Sequence, residues 1–312
     1  YGFEKPSKIQ YNSIPVIISG KDIIAQSQSG TGKTGAFAIS TLCRIDETKD
    51  HTQAIIISPT HELAHQSYNV IKELSMYTKI TSCKVMGGTN ISASREELNK
   101  NPHIIVGTPG RILDMIMRNY LFTSEIKILV FDEADEILSQ GFKETIYNIV
   151  KSVSKECQIC LFSATLSEPV LELTKNFMNN PQQILVKNSE LTLEGIKQYY
   201  VNVKVNDWKF DVICDIYDSI NIGQCIIYIN SKNKLMDTYS RLREKGFPVS
   251  YINGDRTSDE RKRVMEDFRS GTIRILLSTD LLSRGIDVQQ LSLVINYDLP
   301  KEKEIYIHRI GR

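Results

Sequence analysis

Short apolar runs alternate with longer stretches of helical spacing along most of this chain. The first run, Ile23-Ile24-Ala25, leads through a glycine-rich turn into a helical stretch from Gly35 to Arg44. Runs rich in β-branched residues are typical of buried strands, whereas apolar residues at intervals of three and four are typical of amphipathic helices. Their alternation predicts an α/β fold, with a mostly parallel sheet covered by helices on both faces.

The same pattern continues through the first half of the chain. The predicted strands are Ala54–Ser58, Ser82–Met86, His103–Gly107, Ile126–Phe131, Ile159–Ser163 and Ile184–Val186. The predicted helices are Glu62–Met76, Ala93–Leu98, Arg111–Met117, Lys143–Val153 and Pro169–Phe177. Candidate site residues are therefore expected at the carboxyl ends of the strands.

A polar stretch without a clear period, Lys187–Leu193, interrupts the alternation, which restarts at Ile196. We therefore predict one domain over residues 1–186, a linker over 187–195 and a second domain over 196–312. The predicted strands of the second domain are Tyr199–Val203, Ile226–Ile229, Val249–Ile252, Ile275–Leu277 and Leu293–Ile295. Its predicted helices are Trp208–Ile220, Lys234–Lys245, Asp259–Phe268 and a stretch after Lys303.

Composition is consistent with two globular domains, since 312 residues exceed one ordinary core and 41% of them are hydrophobic. A formal net charge of +1 gives no bulk attraction to nucleic acid, so any affinity for it must come from locally grouped Lys, Arg and backbone N–H donors. The lack of a long apolar run or a secretory pattern predicts an intracellular protein with no membrane partner. Six scattered cysteines predict reduced thiols, and Cys157 and Cys160 lack the second pair of a zinc site.

The turn within Gln26–Thr34 has the second half of a phosphate-loop pattern, Gly30-Thr31-Gly32-Lys33-Thr34. A strand, a glycine-rich turn and a helix start present backbone N–H groups and a positive helix end to a phosphate. Lys33 is expected to reach the outer phosphates, and the Thr34 hydroxyl to hold Mg²⁺. Ser27 stands where the full pattern has its first glycine.

An acidic tetrapeptide, Asp132-Glu133-Ala134-Asp135, ends the apolar run Ile126–Phe131. An acidic pair at the carboxyl end of a strand is where α/β ATPases hold their metal and water. Asp132 is expected to bind Mg²⁺, partly through water, and Glu133 to polarise the attacking water. The alternative interpretation is a solvated helix start, where acidic residues are favoured by the helix dipole. The presence of the phosphate loop argues against this alternative.

With these two motifs the sequence resembles the DEAD-box RNA helicases, and further motifs follow in the order of that family over essentially the whole chain. They are Phe3, Pro6-Ser7, Ile9 and Gln10, Pro59–Leu63, Gly87-Gly88, Thr108–Arg111, Ser163–Thr165, Ser278–Asp280, Arg284–Asp287 and His308–Arg312. The resemblance implies two tandem RecA-like domains joined by a short linker. Because the last motif stops at Arg312, the second domain is expected to be incomplete.

The resemblance implies ATP and Mg²⁺ as cofactors and assigns the nucleotide site. Phe3 is expected to stack on adenine, Gln10 to exchange two hydrogen bonds with it, and Asp287 to bind the ribose. The alternative is that Phe3 and Ile9 are only apolar anchors of the first helix. The expected phosphate contacts are Ser29, Gly30, Thr31, Gly32, Lys33 and Thr34, and the expected catalytic residues are Lys33, Glu133 and Arg312.

The resemblance also implies RNA binding that is independent of sequence, with no binding of DNA, through contacts to phosphates and 2′-hydroxyls. The expected RNA contacts are Thr60, Gly88, Thr108 and Arg111 in the first domain and Asn230, Arg261 and Thr279 in the second. Coupling between ATP and RNA is expected from Ser163, Thr165, His308 and Arg309, although Ser163 and Thr165 are also typical turn formers. Departures from the family pattern are His61 for arginine, Ser258 for glutamine and Asn253 for histidine.

The expected activity is an RNA-dependent ATPase that separates short RNA duplexes or remodels RNA–protein complexes. Tyr1–Pro6, Glu190–Ile196 and Val294–Pro300 resemble the translation initiation factor 4A group, which implies a cytoplasmic protein, with the nucleus possible, and a scaffold partner of the initiation factor 4G type. Gln26-Ser27-Gln28 instead resembles the nuclear relatives, so an ATP-gated RNA clamp held closed by partner proteins stays open as the alternative.

Overall fold

The computed structural model describes residues 3–27, 30–88, 90–139, 141–166, 168–185, 196–220, 222–282 and 291–311. The chain divides into two compact units, Tyr1–Asn188 and Ser189–Arg312, which are called the first and second unit below. The division falls within the segment 187–195 predicted as a linker, and that segment lies outside the described residues. The fold class predicted from the alternating pattern, two RecA-like α/β domains, is confirmed.

The first unit is built on a parallel sheet with the strand order β3-β4-β2-β5-β6-β1-β7. Its strands are β1 Ile23–Gln26, β2 Ala54–Ile57, β3 Ser82–Val85, β4 Ile104–Gly107, β5 Ile128–Phe131, β6 Gln158–Ser163 and β7 Gln182–Ile184. Five of them, β1, β2, β4, β5 and β6, are buried at every position, because helices cover both faces of the sheet.

Two apolar cores, one on each face of this sheet, hold the first unit together. Ile57, Leu129 and Phe131 point into one core, whereas Ile56 and Val130 point into the other. The helices that cover the faces are α1 Lys8–Ile18, α2 Lys33–Arg44, α3 His61–Leu74, α4 Ile91–Leu98, α5 Pro109–Met117, α6 Ala134–Ser139, α7 Lys143–Ser152 and α8 Glu168–Phe177. The short helix α6, which begins within the acidic tetrapeptide, was not among the predicted elements.

The second unit has a parallel sheet in the order β11-β8-β10-β9 within the described residues. Its strands are β8 Gln224–Tyr228, β9 Val249–Ile252, β10 Ile275–Ser278 and β11 Leu291–Asn296. Its helices are α9 Lys209–Ser219, α10 Lys232–Glu244, α11 Ser258–Arg269 and α12 Lys303–Ile310, with single 3₁₀ turns at Asn206–Trp208 and Asp280–Leu282.

The predicted strand Tyr199–Val203 is wrong, since these residues form no regular secondary structure. Tyr199, Tyr200 and Val201 are exposed to solvent. The described strands of the second sheet pair only with one another. Aromatic and β-branched residues favour a strand only where a neighbouring strand supplies hydrogen bonds and packing, and this run has no such neighbour in the described part of the chain.

Across the described ranges, no helix has the length and apolar character needed to cross a lipid bilayer.

Candidate nucleotide and RNA sites

The strand order of the first unit brings three sequence-distant motifs to one edge of the sheet. Strands β5, β6 and β1 are neighbours, and all three run parallel. Their carboxyl ends carry Asp132, Ser163 and Gln26, respectively, so the acidic tetrapeptide, the Ser163–Thr165 segment and the phosphate loop lie side by side. This is the position at which parallel α/β sheets bind ligands.

The phosphate loop needs glycine at two positions because its backbone is left-handed there. Gly30 has φ of 78° and Gly32 has φ of 93°, values that side-chain-bearing residues rarely adopt. A Cβ atom on Gly32 would also lie only 2.6 Å from Nε2 of Gln10. Gly32 caps α2 without a side-chain hydrogen bond, and a helix start of this kind is suited to bind a phosphate through its backbone N–H groups.

Lys33 joins the phosphate loop to the acidic tetrapeptide through a buried ion pair. Its Nζ atom lies 3.0 Å from Oε1 of Glu133 and donates a second hydrogen bond of 3.0 Å to the carbonyl oxygen of Ser27. Lys33 is 5% exposed and Glu133 is 3% exposed. Glu133 has φ of 51°, a strained backbone conformation of the kind that clusters at functional sites. Two residues predicted to be catalytic therefore contact each other directly.

Asp132 is a buried carboxylate whose chemistry fits a divalent cation. Burial and then the neighbouring charge of Glu133 raise its pKa to about 7. Its backbone N–H donates to the carbonyl oxygen of Ile57, which fixes the residue at the end of β5. Mg²⁺ prefers hard oxygen ligands such as carboxylates and water, and the Thr34 hydroxyl at the start of α2 adds another. The donor set therefore fits the predicted Mg²⁺ site.

Asp135 connects the acidic tetrapeptide to the Ser163–Thr165 segment. Its Oδ2 atom accepts hydrogen bonds from the Thr165 hydroxyl at 2.6 Å and from the Thr165 backbone N–H at 3.2 Å. The Ser163 hydroxyl donates to the Thr165 carbonyl oxygen at 2.7 Å, and the backbone N–H of Asp135 donates to that hydroxyl at 3.3 Å. Both predicted coupling residues of this unit thus contact Asp135, Thr165 through the carboxylate and Ser163 through the backbone N–H.

The residues predicted to bind adenine lie against the start of α2. Gln10 accepts a hydrogen bond from the Ser7 backbone N–H at 2.9 Å and donates one of 3.1 Å to the carbonyl oxygen of Gly32. These two contacts use half of the bonding capacity of an amide. A Cβ atom on Gly35 would lie 2.9 Å from the Phe3 ring. Ile9 is buried in the core, as the anchor alternative expects, whereas Phe3 remains 48% exposed.

The residues predicted to bind RNA in the first unit lie at the ends of β2, β4 and β3, which form the other half of the sheet. The Thr108 hydroxyl accepts a hydrogen bond from the Gly87 N–H at 3.1 Å, and Arg111 donates one to the Ser94 hydroxyl at 2.9 Å. An open cleft of about 350 Å³ is lined by Pro59, His61, Gly87, Thr108, Gly110, Arg111 and Phe142.

Thr60 and Gly88 flank this cleft. The Thr60 hydroxyl caps α3 by accepting from the Leu63 N–H at 3.3 Å, and a hydroxyl in that role keeps its own O–H for donation. Gly88 has φ of 71°, and a Cβ atom there would lie 3.3 Å from the His61 ring. His61 therefore stands at the cleft where the family pattern has arginine.

His61 and His65 lie one turn apart on α3, in a His-Glu-x-x-His spelling that matches helical zinc sites. Nζ of Lys84 lies 3.2 Å from Nδ1 of His65 and 5.0 Å from the centre of the Tyr68 ring. An ammonium group can only donate a hydrogen bond, so the Nδ1 atom of His65 accepts from Lys84. Among the residues that the structure describes, His61 and His65 belong to no group of three or more His, Cys, Asp or Glu side chains close enough to hold one metal ion.

Arg309 organises the second unit through all five of its N–H donors. It donates to the side chains of Asp280, Asn296 and Asn230 and to the carbonyl oxygen of Asp298. Asn230 in turn donates to the carbonyl oxygen of Leu299 at 2.8 Å. Arg309, which is predicted for interdomain coupling, and Asn230, which is predicted to bind RNA, thus take part in one hydrogen-bond network within this unit.

The other predicted residues of the second unit are placed by their elements. Arg261 lies in α11, Thr279 follows β10, and His308 lies in α12. Ser258 begins α11, whose first turn is capped by Thr257 and Glu260. Ser29, Asp287 and Arg312 lie outside the described residues.

Sequence reasoning missed three contributors to these sites. The capping box between Ser7 and Gln10 could have been read from their spacing. The contacts of Asp135 with Thr165 and of Gln26 with Ala164 could not, because they join residues 30 and 138 positions apart.

Two family models together match most of the chain: DEAD/DEAH box helicase over residues 7–173 and Helicase conserved C-terminal domain over residues 208–312. The chain therefore belongs to the DEAD/DEAH box helicase family. It is 55% identical to the ATP-dependent RNA helicase eIF4A of Candida albicans and 50% identical to eukaryotic initiation factor 4A of Caenorhabditis elegans. These matches cover 100% of this chain and 79% and 78%, respectively, of the relatives.

A third relative, the ATP-dependent RNA helicase FAL1 of Eremothecium gossypii, is 51% identical over 100% of this chain and 79% of its own length. Among solved structures, S. cerevisiae Dbp5 bound to RNA and ADP BeF3 has a TM-score of 0.91 and 38% identity, with 99% of this chain and 81% of that chain covered. The chain is thus an ATP-dependent RNA helicase, as the motif order predicted. Its identity to the eIF4A proteins agrees with the initiation factor 4A resemblance of Tyr1–Pro6, Glu190–Ile196 and Val294–Pro300.

Proposed function

We propose that the first unit binds ATP at the ends of β1, β5 and β6 and RNA at the ends of β2, β4 and β3. The observation that carries this proposal is the buried contact between Lys33 and Glu133, which joins the phosphate loop to the acidic tetrapeptide across 100 residues of sequence. Gly30, Thr31, Gly32 and Thr34 contact the phosphates, while Phe3 and Gln10 contact adenine. Ser29, Asp287 and Arg312 keep the nucleotide and catalytic roles that the motifs imply.

Hydrolysis needs Lys33 and Glu133 to exchange partners. An arriving γ-phosphate competes with the Glu133 carboxylate for the Lys33 ammonium, which lies between the loop carbonyl and the carboxylate. Once released, the carboxylate can accept a hydrogen bond from the attacking water and orient it. Asp132 and Thr34 would hold Mg²⁺, which would supply positive charge against the phosphate oxygens when bound.

RNA binding uses hydroxyl, guanidinium and backbone N–H donors around the cleft. Thr60, Gly88, Thr108 and Arg111 offer such groups in the first unit, and Asn230, Arg261 and Thr279 do so in the second. Donors of this kind contact phosphates and 2′-hydroxyls and leave base edges unread. Binding is therefore independent of sequence and selective for RNA over DNA.

The contacts of Asp135 with Ser163 and Thr165 support a coupling role for this segment. It borders the acidic tetrapeptide and continues from β6, the strand between β5 and β1. A shift of the nucleotide-bound loop is therefore transmitted to the Ser163–Thr165 segment. His308 and Arg309 contribute to the same coupling from the second unit.

Similarity to the relatives supports a biological setting for this activity. Similarity to initiation factor 4A supports a role in translation initiation in the cytoplasm, with a scaffold protein of the initiation factor 4G type as partner. A second candidate is an RNA clamp regulated by other proteins, which similarity to Dbp5, solved bound to gle1 and ip6, supports. In that case RNA-stimulated turnover is low until a regulator is added.

Steady-state ATP hydrolysis tests the proposal. It is measured with no nucleic acid, with single-stranded RNA and with DNA of the same sequence, at several concentrations of MgCl₂. The expected result is stimulation by RNA alone and loss of turnover without Mg²⁺. Equal stimulation by RNA and DNA would overturn the RNA-specific interface, and turnover independent of Mg²⁺ would overturn the metal assignment.

A further inference from the structure

Strands β1 and β6 end together, and one glutamine side chain extends their contact beyond the last backbone hydrogen bond. Gln26 pairs with Ser163 in the parallel ladder, and the Ser27 N–H donates to the Ser163 carbonyl oxygen at 3.0 Å. After this point β1 continues into the phosphate loop and β6 into the Ser163–Thr165 segment. Nε2 of Gln26 donates to the carbonyl oxygen of Ala164 at 3.2 Å, and Gln26 is only 9% exposed.

Gln26 therefore lies between the two moving parts that the proposed mechanism requires. On the loop side, the neighbouring carbonyl of Ser27 accepts the hydrogen bond from Lys33. On the opposite side, Ala164 stands between Ser163 and Thr165, the two residues that contact Asp135. Three hydrogen bonds, linked by the adjacent backbone of Gln26-Ser27 and Ala164-Thr165, thus connect the Lys33 ammonium to the Asp135 carboxylate.

We propose that Gln26 is a positioning residue that couples the phosphate loop to the Ser163–Thr165 segment, so that ATP turnover is converted into separation of RNA strands. This inference rests on the proposed coupling role of Ser163 and Thr165. A buried carbonyl without its donor is free to adopt other positions and carries a desolvation cost. Without the Gln26 amide, loop movement and segment movement become less strictly linked, although the groups that contact ATP remain.

Strand β6 also supplies a matched control at its other end. Gln158 is 2% exposed, and its Nε2 atom donates to the carbonyl oxygens of Ile17 and Lys21 at 3.0 Å and 2.6 Å. Like Gln26, Gln158 is a buried glutamine whose amide donates to backbone carbonyl oxygens. It lies at the amino end of β6, however, at the opposite edge of the sheet from the phosphate loop. Replacing Gln158 tests the loss of a buried amide without changing the coupling path.

The experiment compares Gln26→Leu, Gln158→Leu and Thr165→Val in the full protein. For each, kcat and KM for ATP at saturating RNA, the amount of RNA duplex separated per ATP hydrolysed, and the melting temperature are measured. In Gln26→Leu we expect the duplex separated per ATP to fall about fivefold, the effect of one hydrogen bond, with KM for ATP changed by less than about twofold. Gln158→Leu is expected to lower the melting temperature and leave the yield per ATP unchanged.

The outcomes distinguish the role of Gln26 from the coupling role of the Ser163–Thr165 segment. If Thr165→Val lowers the yield per ATP and Gln26→Leu does not, the inference about Gln26 is wrong while the coupling role of the segment stands. If Thr165→Val has no effect, the coupling role itself is wrong, and the inference fails with it. An equal fall in Gln158→Leu would show a stability effect and overturn the inference. Should Gln26→Leu not fold, Gln26→Met, which is unbranched and lacks the donor, is judged by the same criteria.

Discussion

Replacement of Glu133 by glutamine separates ATP binding from hydrolysis. The substitution keeps an oxygen that accepts from the Lys33 ammonium, now 3.0 Å from the Glu133 carboxylate, but removes the negative charge. Because an arriving phosphate no longer competes with that charge for Lys33, we expect ATP affinity to stay equal or rise. Hydrolysis is expected to fall at least about 100-fold, because a neutral amide orients the attacking water poorly.

The effect on stability depends on Asp132 as well. Removing one partner of a buried ion pair costs about 3–5 kcal/mol when the other charge is left alone. Here the charge of Glu133 is the second cause, after burial, of the raised pKa of Asp132. Without it Asp132 ionises at a lower pH and partly replaces the missing charge near Lys33. The expected loss in the free energy of unfolding is therefore nearer to about 1–3 kcal/mol at pH 7.5.

Three measurements check this reasoning. Binding of a fluorescent ATP analogue gives the affinity, RNA-stimulated turnover gives kcat, and urea unfolding without nucleotide gives stability. Glu144→Gln, at an exposed position in α7, serves as the control and should change none of them. Normal turnover in Glu133→Gln would refute the catalytic role, and a loss of ATP affinity would refute the competition between phosphate and carboxylate for Lys33.

Four further outcomes are expected. The pKa of Asp132 is raised from 3.8 to about 7 in the folded protein. Between these values the folded protein keeps a proton that the unfolded chain releases, so stability without Mg²⁺ falls as the pH rises from about 4 to 7. Asp132→Asn should flatten this part of the profile of melting temperature against pH. Arg309→Lys loses the planar five-donor arrangement and should destabilise the second unit by about 2–4 kcal/mol in urea unfolding. Arg111→Ala should weaken RNA binding about three- to tenfold and lower its salt slope by about 1, with KM for ATP unchanged. Gly107→Ala should reduce stability by more than about 2 kcal/mol, because its methyl group would collide with the Val85 carbonyl oxygen; a melting curve like the unsubstituted protein's would contradict this.

The sequence pattern predicted the fold of the first unit well, because its central strands are uniformly apolar and its helices strongly amphipathic. The motif order also predicted one site for Lys33 and Glu133, and the two side chains lie in direct contact. The strand prediction for Tyr199–Val203 is wrong because a strand also needs a neighbouring strand, which its own residues do not specify. Short-range patterns describe what a segment can form, and pairing decides whether it does.

Contacts between distant residues account for the rest of what sequence reasoning missed. The amide of Gln10 was expected to face adenine, yet it also bonds Ser7 and Gly32 and so supports the loop itself. Arg309 was expected to act between domains, yet its donors are engaged by four residues of its own unit. Such double use follows from packing, because a buried polar side chain must satisfy its donors and acceptors wherever it lies.

The order of strands in the first sheet also explains how RNA and ATP can influence each other within one unit. Strands β3, β4 and β2 end at the proposed RNA cleft, whereas β5, β6 and β1 end at the proposed nucleotide site, so β2 and β5 form the boundary. Across this boundary the Asp132 N–H donates to the Ile57 carbonyl oxygen at 2.9 Å. Ile57 lies three residues before Thr60 in the chain. Only Ile57, Ser58 and this hydrogen bond separate the Pro59-Thr60 turn from the Asp132 backbone. We therefore expect RNA that displaces the turn to shift Asp132 as well.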